Sequence, residues 1–371
     1  MGFRAAVRLC GLLLAIGLGV SVSAQEVTQT NLVSDQAGVA NNQDILLINA
    51  FGFARGTGTD WMVAANGSAQ GIVYDGFGNA QFVNVNTPAA ASTAAGQPTG
   101  VVYNGTTSFN VPGSSLPAQF LFATADGLIE AYNPNVDPAN AFIAVNNSGK
   151  ASYTGLTIVE VSPGGFALLA ANFKQGRVDY FDTNFHPFVI SPGIHAVEPG
   201  SGAILSPYNV QTLGRDVVVT FAGRGANGQV LTGNGLGFAA VFQSRGTPVT
   251  ILRGTSLNAP WGIAQAPADF GRLSHLLLIG NSGSGTIAAF DPYSGKFYSL
   301  VEDTTGVPIL IDGLHALGFG ATGAAGDPSF ANQQSGAFNA LYFSAGPVGG
   351  THGLVGNLVP LFPSDFVLGE Q

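Results

Sequence analysis

The chain has 371 residues, 46% hydrophobic and only 9% charged, with 53 glycines and a net charge of -9. It is long enough to bury a large core, and a glycine-rich, charge-poor composition favours strands and turns over long helices. An acidic chain with no basic run lacks the electrostatic footprint for nucleic-acid phosphates or anionic lipid, which excludes both partner classes.

At the N-terminus, Arg4 and Arg8 precede an apolar stretch from Leu9 to Val20, and Val22-Ser23-Ala24 supplies the small residues that signal peptidase requires. Residues 1–24 are therefore expected to be a signal peptide cleaved after Ala24, with 25–371 forming one extracytoplasmic domain, periplasmic or secreted. The apolar run is shorter than the ~20 residues of a bilayer span, and no later segment is long and apolar enough, so no stable membrane insertion is expected. The single cysteine, Cys10, lies in the leader, which leaves the mature chain without disulfides or thiol chemistry.

Beyond the leader, one order of elements recurs: an apolar run, a polar or glycine-containing break, and an alternating run ending near Asp or Asn. It occurs at DWMVAANGSAQGIVYDG (60–76), QFLFATADGLIEAYN (119–133), FALLAANFKQGRVDYFD (166–182) and LLLIGNSGSGTIAAFDPYSGKF (276–297). Two more distant copies are DVVVTFAG (216–223) with GFAAVFQ (237–243), and ALYFSAG (340–346) with GLVGNLV (353–359). Ahead of each stands a short apolar segment: NAFGFA (49–54), PTGVVYN (98–104), YTGLTIV (153–159), PYNVQTL (207–213), APWGIAQ (259–265) and GLHALGF (313–319). Behind the first five comes another: QFVNVN (81–86), AFIAVNN (141–147), PFVIS (187–191), PVTIL (248–252) and KFYSLV (296–301).

Short β-branched and aromatic runs bounded by Gly, Pro, Asn and Asp read as strands. Six units of four antiparallel strands make an all-β fold, a six-bladed β-propeller; a seven-bladed ring and a β-sandwich are the alternatives. The sixth unit lacks a fourth strand, because PLFPSDF (360–366) has two prolines and makes a poor ladder partner. EVTQTNLVSD (26–35) has strand character and no unit of its own, so it is expected to supply that strand, close the ring and remove an exposed edge.

Aligned on their shared small residue, the six innermost strands carry Asn49, Gln97, Ser152, Ser206, Asn258 and Asp312 three or four places earlier. One carboxylate among neutral oxygens at a channel mouth suits a hard cation such as calcium, with Asp312, Asn258 and Asn49 as candidate ligands. The same residues equally serve to satisfy backbone groups at strand starts and to hold channel water. His315, near Asp312, is the candidate proton exchanger. No two of the five histidines have the spacing of paired metal ligands, and no G-x-S-x-G elbow or Walker-type GK[ST] occurs. Asp75, Asp182 and Asp291 close third strands in equivalent places and read as a repeated structural turn.

The run Ser256-Leu257-Asn258-Ala259-Pro260-Trp261-Gly262-Ile263-Ala264, continued by Ala266-Pro267-Ala268-Asp269-Phe270-Gly271, carries a resemblance together with LLLIGNSGSGTIAAFDPYSG, IDGLHALGFG, LYFSAGP and THGLVG. These motifs resemble an uncharacterised family of exported bacterial proteins predicted to be six-bladed propellers, over nearly the whole mature chain. The innermost strands are loosely similar to NHL-repeat and gluconolactonase-like propellers. The resemblance implies the fold and export, and carries no reaction or catalytic residue with it. Two departures stand out: Asn49-Ala50-Phe51-Gly52 where relatives tend to have Asn-Pro-Trp-Gly, and His315 where tryptophan is expected. The function expected is that of a non-enzymatic binding or scaffold propeller for an extracytoplasmic glycan, peptide or cell-surface component. The alternative is a lactonase-like metal-dependent hydrolase with Asp312, Asn258 and Asn49 as ligands and His315 as acid/base.

Overall fold

The computed structural model describes residues 26–56, 58–91, 95–197, 203–243, 247–320 and 336–361; the expected leader and its cleavage point lie outside these residues. The short apolar runs form six four-stranded antiparallel blades, each ordered from the axis outward. Blade 1 contains Ala50–Ala54, Trp61–Ala65, Gln70–Tyr74 and Ala80–Asn86, and blade 2 contains Pro98–Tyr103, Phe120–Thr124, Leu128–Tyr132 and Phe142–Asn146. Blade 3 is built from Tyr153–Ser162, Gly165–Asn172, Arg177–Phe181 and Pro187–Phe188; blade 4 from Ile204–Leu213, Asp216–Arg224, Gly237–Gln243 and Pro248–Leu252. Blade 5 has Pro260–Gln265, Leu277–Asn281, Ile287–Phe290 and Phe297–Leu300; blade 6 has Leu314–Phe319, Leu341–Ala345 and Leu354–Pro360, with Glu26–Ser34 as its outermost strand.

The second strands WMVAA, FLFAT, LLIGN and LYFSA are buried at every residue. Each blade packs on a neighbour through both faces, so its inner strands read as continuous apolar runs rather than as an alternation. Six apolar clusters fill the six spaces between successive blades. One of them joins blade 6 to blade 1 and includes Leu32 and Val33 of the N-terminal strand. That strand runs antiparallel to Leu354–Pro360, from Val27 opposite Pro360 to Ser34 opposite Leu354. Polar contacts lock its end: His352 Nδ1–H donates to Asp35 Oδ2 at 2.7 Å, the Gly353 N–H donates to Asp35 Oδ1 at 2.8 Å, and the Ser34 hydroxyl donates to the Gly353 carbonyl at 3.0 Å. The ring closes as its sequence pattern implies.

The repeated aspartates close turns. Asp75 Oδ1 accepts the N–H groups of Phe77 and Asn79, Asp182 Oδ1 those of Asn184 and His186, and Asp291 Oδ1 those of Tyr293 and Ser294. One outer strand is shorter than its sequence suggests. PFVIS pairs only through Pro187 and Phe188; the chain then swings away and returns where His195 bridges Arg177. Pro187 and Pro192 bring no N–H, so a continuous ladder cannot form there.

Every innermost strand carries a β-bulge near its start, after Ala50, Pro98, Tyr153, Pro207, Pro260 and Leu314. The extra residue bends the strand at the same level in all six blades. Small residues follow there, and they set the ring's tightness: a Cβ on Gly100 would lie 2.7 Å from Gly155 Cα, and one on Gly262 would lie 2.6 Å from the His315 carbonyl oxygen. The bulges also collect large side chains near the axis. Phe51 stacks on His315 at 3.7 Å between centroids and meets Trp261 edge-on at 5.4 Å, while Tyr208 packs on Phe173 at 5.2 Å. Trp261 Nε1–H donates across the ring to the Thr154 carbonyl at 3.0 Å, and Asn209 Nδ2 donates to the Trp261 carbonyl at 2.9 Å. The middle of the channel is therefore a packed aromatic plug.

Two titratable groups are held in this interior. His315 Nδ1–H donates to the Ala50 carbonyl at 3.1 Å, and burial pushes the imidazole pKa down from 6.5 to about 4. Glu130, fully buried on the third strand of blade 2 and facing blade 1, has no hydrogen-bond partner on either carboxyl oxygen. Burial first, and Asp126 second, push its pKa up from 4.5 to about 9.

Three outcomes are expected. Amides of Val27 to Val33 are as protected from exchange as those of other outer strands, and Val33→Asp, which buries an unpaired charge, lowers unfolding free energy by about 3 kcal/mol. Neutral His315 is the form that the fold favours, so its contribution is full above pH 6.5 and is lost by about 3 kcal/mol as pH falls to about 4. His315→Phe removes that acid limb from a plot of Tm against pH. Protonated Glu130 is favoured, so its contribution is full below pH 4.5 and falls by about 1.4 kcal/mol per pH unit towards pH 9. Glu130→Gln flattens that alkaline limb.

Candidate functional site

The plug divides the axis into two ends. At the end where the innermost strands begin, the backbone register makes Asn49, Gln97, Ser152 and Ser206 equivalent to Ala259 and Gly313, each the residue before the position at which the bulge begins. Asn258 and Asp312 stand one residue further upstream. The six polar side chains do not converge. Asn49 Nδ2 donates to Asn66 Oδ1 at 3.0 Å, and Asn66 Nδ2 donates to the Pro98 carbonyl of the next blade at 3.1 Å. Asn258 Oδ1 accepts the Gly233 N–H at 2.7 Å, Asp312 Oδ2 the Val348 N–H at 2.7 Å, and Ser206 Oγ the Arg224 Nε–H at 2.8 Å. Ser152 is half-buried and Gln97 exposed. Among the described residues, no three His, Cys, Asp or Glu side chains gather closely enough to hold a metal ion. His315 lies in the plug, only 8% exposed, with its ring against Phe51.

The other end, where the innermost strands finish, holds a cup of about 340 Å³. Its floor is the plug side of Trp261, Asn209 and Ala316, and its walls come from all six blades. Three residues past the small bulge position stand Arg55, Tyr103, Thr212 and Phe319; two residues past it stand Thr157, Gln211 and Gly318. Strand geometry brings these positions to one rim, because equal offsets from equivalent bulges fall at equal height.

The rim combines ring surfaces with hydrogen-bonding groups. Phe53, Tyr103 and Phe319 are half-buried. Phe53 meets Trp61 edge-on at 4.6 Å, and the Arg55 guanidinium lies 5.3 Å from the Trp61 ring centroid. Arg55 Nε and Nη2 donate to the Phe319 carbonyl at 2.8 and 2.6 Å, and Nη2 also donates to the Gly320 carbonyl at 2.7 Å. Burial lowers its pKa to about 10, which keeps it charged at neutral pH. Thr157 and Thr212 are spent on one another, with Thr157 Oγ1–H donating to Thr212 Oγ1 at 3.1 Å. A second cavity, of about 490 Å³, lies at the rim of blade 3 where its outer strand breaks off. Its lining comes almost wholly from that one blade, so the axial cup is the feature that the whole ring builds.

The strand-start residues lie on the opposite side of the bulge from this cup. The cup's lining falls two and three positions forward of the same small residue.

The comparisons with known proteins accord with the architecture. No protein-family model matches the chain. Uncharacterized protein R648 of Acanthamoeba polyphaga mimivirus is 31% identical over 343 residues, covering 88% of this chain and 78% of the viral one. Uncharacterized protein L690 of the same virus is also 31% identical over 343 residues, covering 88% and 84%. The bacterial origin that the sequence resemblance implied is thus too narrow, since these relatives are viral. Among solved structures, the α-L-arabinofuranosidase Arb93A of Fusarium graminearum superposes with a TM-score of 0.55 at 10% identity, covering 90% of this chain and 98% of that one. At that identity the likeness is one of fold alone. On the strength of its viral relatives, the chain belongs to a family of uncharacterised proteins that includes R648 and L690 of mimivirus.

Proposed function

We propose that this propeller is a non-enzymatic binding protein that seats a sugar residue of an extracytoplasmic glycan in the axial cup. One observation carries the reading. A sealed recess of about 340 Å³, to which all six blades contribute, pairs half-buried aromatic rings with an amide and a guanidinium. Concave sites of this volume, with ring surfaces and a few convergent polar groups, suit small ligands. Rings offer flat apolar faces to sugar C–H groups while Gln and Arg serve hydroxyls. Among the described lining residues there is no Asp, Glu, His, Lys, Ser or Cys. The cup thus presents recognition groups rather than a nucleophile or an acid–base pair. The metal-dependent hydrolase has no comparable support, since Asn49, Asn258 and Asp312 are engaged separately.

The reading is tested on a glycan array followed by calorimetry with the glycans retained. Gln211, half-buried on the cup wall, is replaced by Trp to fill the recess. Binding is expected to fall at least ~10-fold, about 1.4 kcal/mol, with Tm unchanged. An array that retains nothing, or a Gln211→Trp protein that binds as the wild type does, overturns the proposal.

A further inference from the structure

Among the described residues that line the cup, Arg55 is the only cation. The chain carries more acidic than basic groups, yet the described ion pairs are Arg177 with Asp179, His186 with Asp182, and His352 with Asp35. Arg55 has none. It is half-buried on the cup wall, and its hydrogen bonds run to the neutral carbonyls of Phe319 and Gly320. Those bonds satisfy part of the fork and fix its plane, but neither they nor the Trp61 ring beneath the guanidinium supplies an anion. Holding an unpaired cation out of water is costly, and a protein surface rich in carboxylates would relieve it at little expense. The guanidinium sits in the recess, and its Nη1 makes no hydrogen bond to a described residue.

We infer that the cup selects an acidic sugar, a hexuronate unit whose carboxylate pairs with the Arg55 guanidinium; this rests on the cup being the glycan site. A guanidinium held in one plane is suited to a planar carboxylate, and charge-assisted hydrogen bonds are about twice as strong as neutral ones. Gln211 lies in the ladder opposite Val218, but its side-chain amide makes no hydrogen bond to a described residue, so it has both a donor and an acceptor for sugar hydroxyls. Phe53 and Phe319 stand beside Arg55 on the same wall. An extended acidic peptide fits less well. It would need an open groove with unpaired strand edges, whereas this recess ends on Trp261 and Asn209.

The test is calorimetry on the whole chain with oligosaccharides ending in glucuronate or galacturonate, their glucose- and galactose-ending counterparts, and a short Asp-containing peptide. Wild type, Arg55→Gln and Arg55→Lys are compared, with melting curves to establish that each is folded. The uronate-ending sugars are expected to bind at least ~10-fold tighter than the neutral ones, about 1.4 kcal/mol. Arg55→Gln should abolish that preference whatever it does to neutral-sugar affinity, and Arg55→Lys should keep part of it. Equal binding of acidic and neutral sugars, or a preference that survives Arg55→Gln, overturns the acidic selectivity and leaves the glycan site standing. Tighter binding of the Asp peptide than of any sugar overturns both readings, as does an absence of binding by every sugar.

Discussion

Everything in this propeller depends on how closely six innermost strands approach one another around the axis. A β-bulge in each strand brings neighbouring backbones so close that a Cβ on Gly52, Gly100, Gly155 or Gly262 would overlap the next blade, and Asn209 and Ala316 take the equivalent position in blades 4 and 6. The bulge has two effects. It shifts side-chain direction at one level, so Phe51, Tyr208, Trp261 and His315 meet in the middle. It also resets the ladder, so that residues beyond it stand at a common height on the far rim. The plug and the cup are thus two results of one backbone irregularity repeated six times.

Blade 4 illustrates how the ring tolerates a departure from glycine. Asn209 occupies the small position, and its amide is absorbed by hydrogen bonds to the Trp261 carbonyl and to the Val210 N–H. The side chain thereby fastens blade 4 to blade 5 instead of wedging blade 3 away. His315 similarly takes a position where an apolar ring would serve, and is accommodated because one ring nitrogen finds the Ala50 carbonyl. A buried polar group with a partner costs little; Glu130, without one, is tolerated only as the neutral acid.

The two ends of the axis differ in how their polar groups are used. At the strand starts, Asn49, Asn66, Asn258 and Ser206 tie loops to blades and leave little capacity for a ligand. At the strand ends, Arg55 and Gln211 retain capacity, and they do so beside rings above a sealed floor. Hydrogen bonding is therefore largely spent at one rim and retained at the other on the same ring. That asymmetry is the physical basis for placing a ligand in the cup.

Much of this was legible in the sequence. Blade number, strand order and closure by residues 26–34 follow from apolar runs and turn residues, which act over a few positions. The aspartate turns at Asp75, Asp182 and Asp291 are equally local, since a side chain two residues away from an N–H suffices to make them. What the sequence could not reveal was the register offset at Asn258 and Asp312, the filling of the channel by Phe51, Trp261 and His315, and the isolation of Arg55 from any described carboxylate. Each of these is set by contacts between blades distant in sequence: a bulge exists only relative to a partner strand, and a charge is unpaired only relative to everything folded around it. Period and turn chemistry therefore determined the ring, while inter-strand register and packing across the axis decided where its cup lies and which side chains line it.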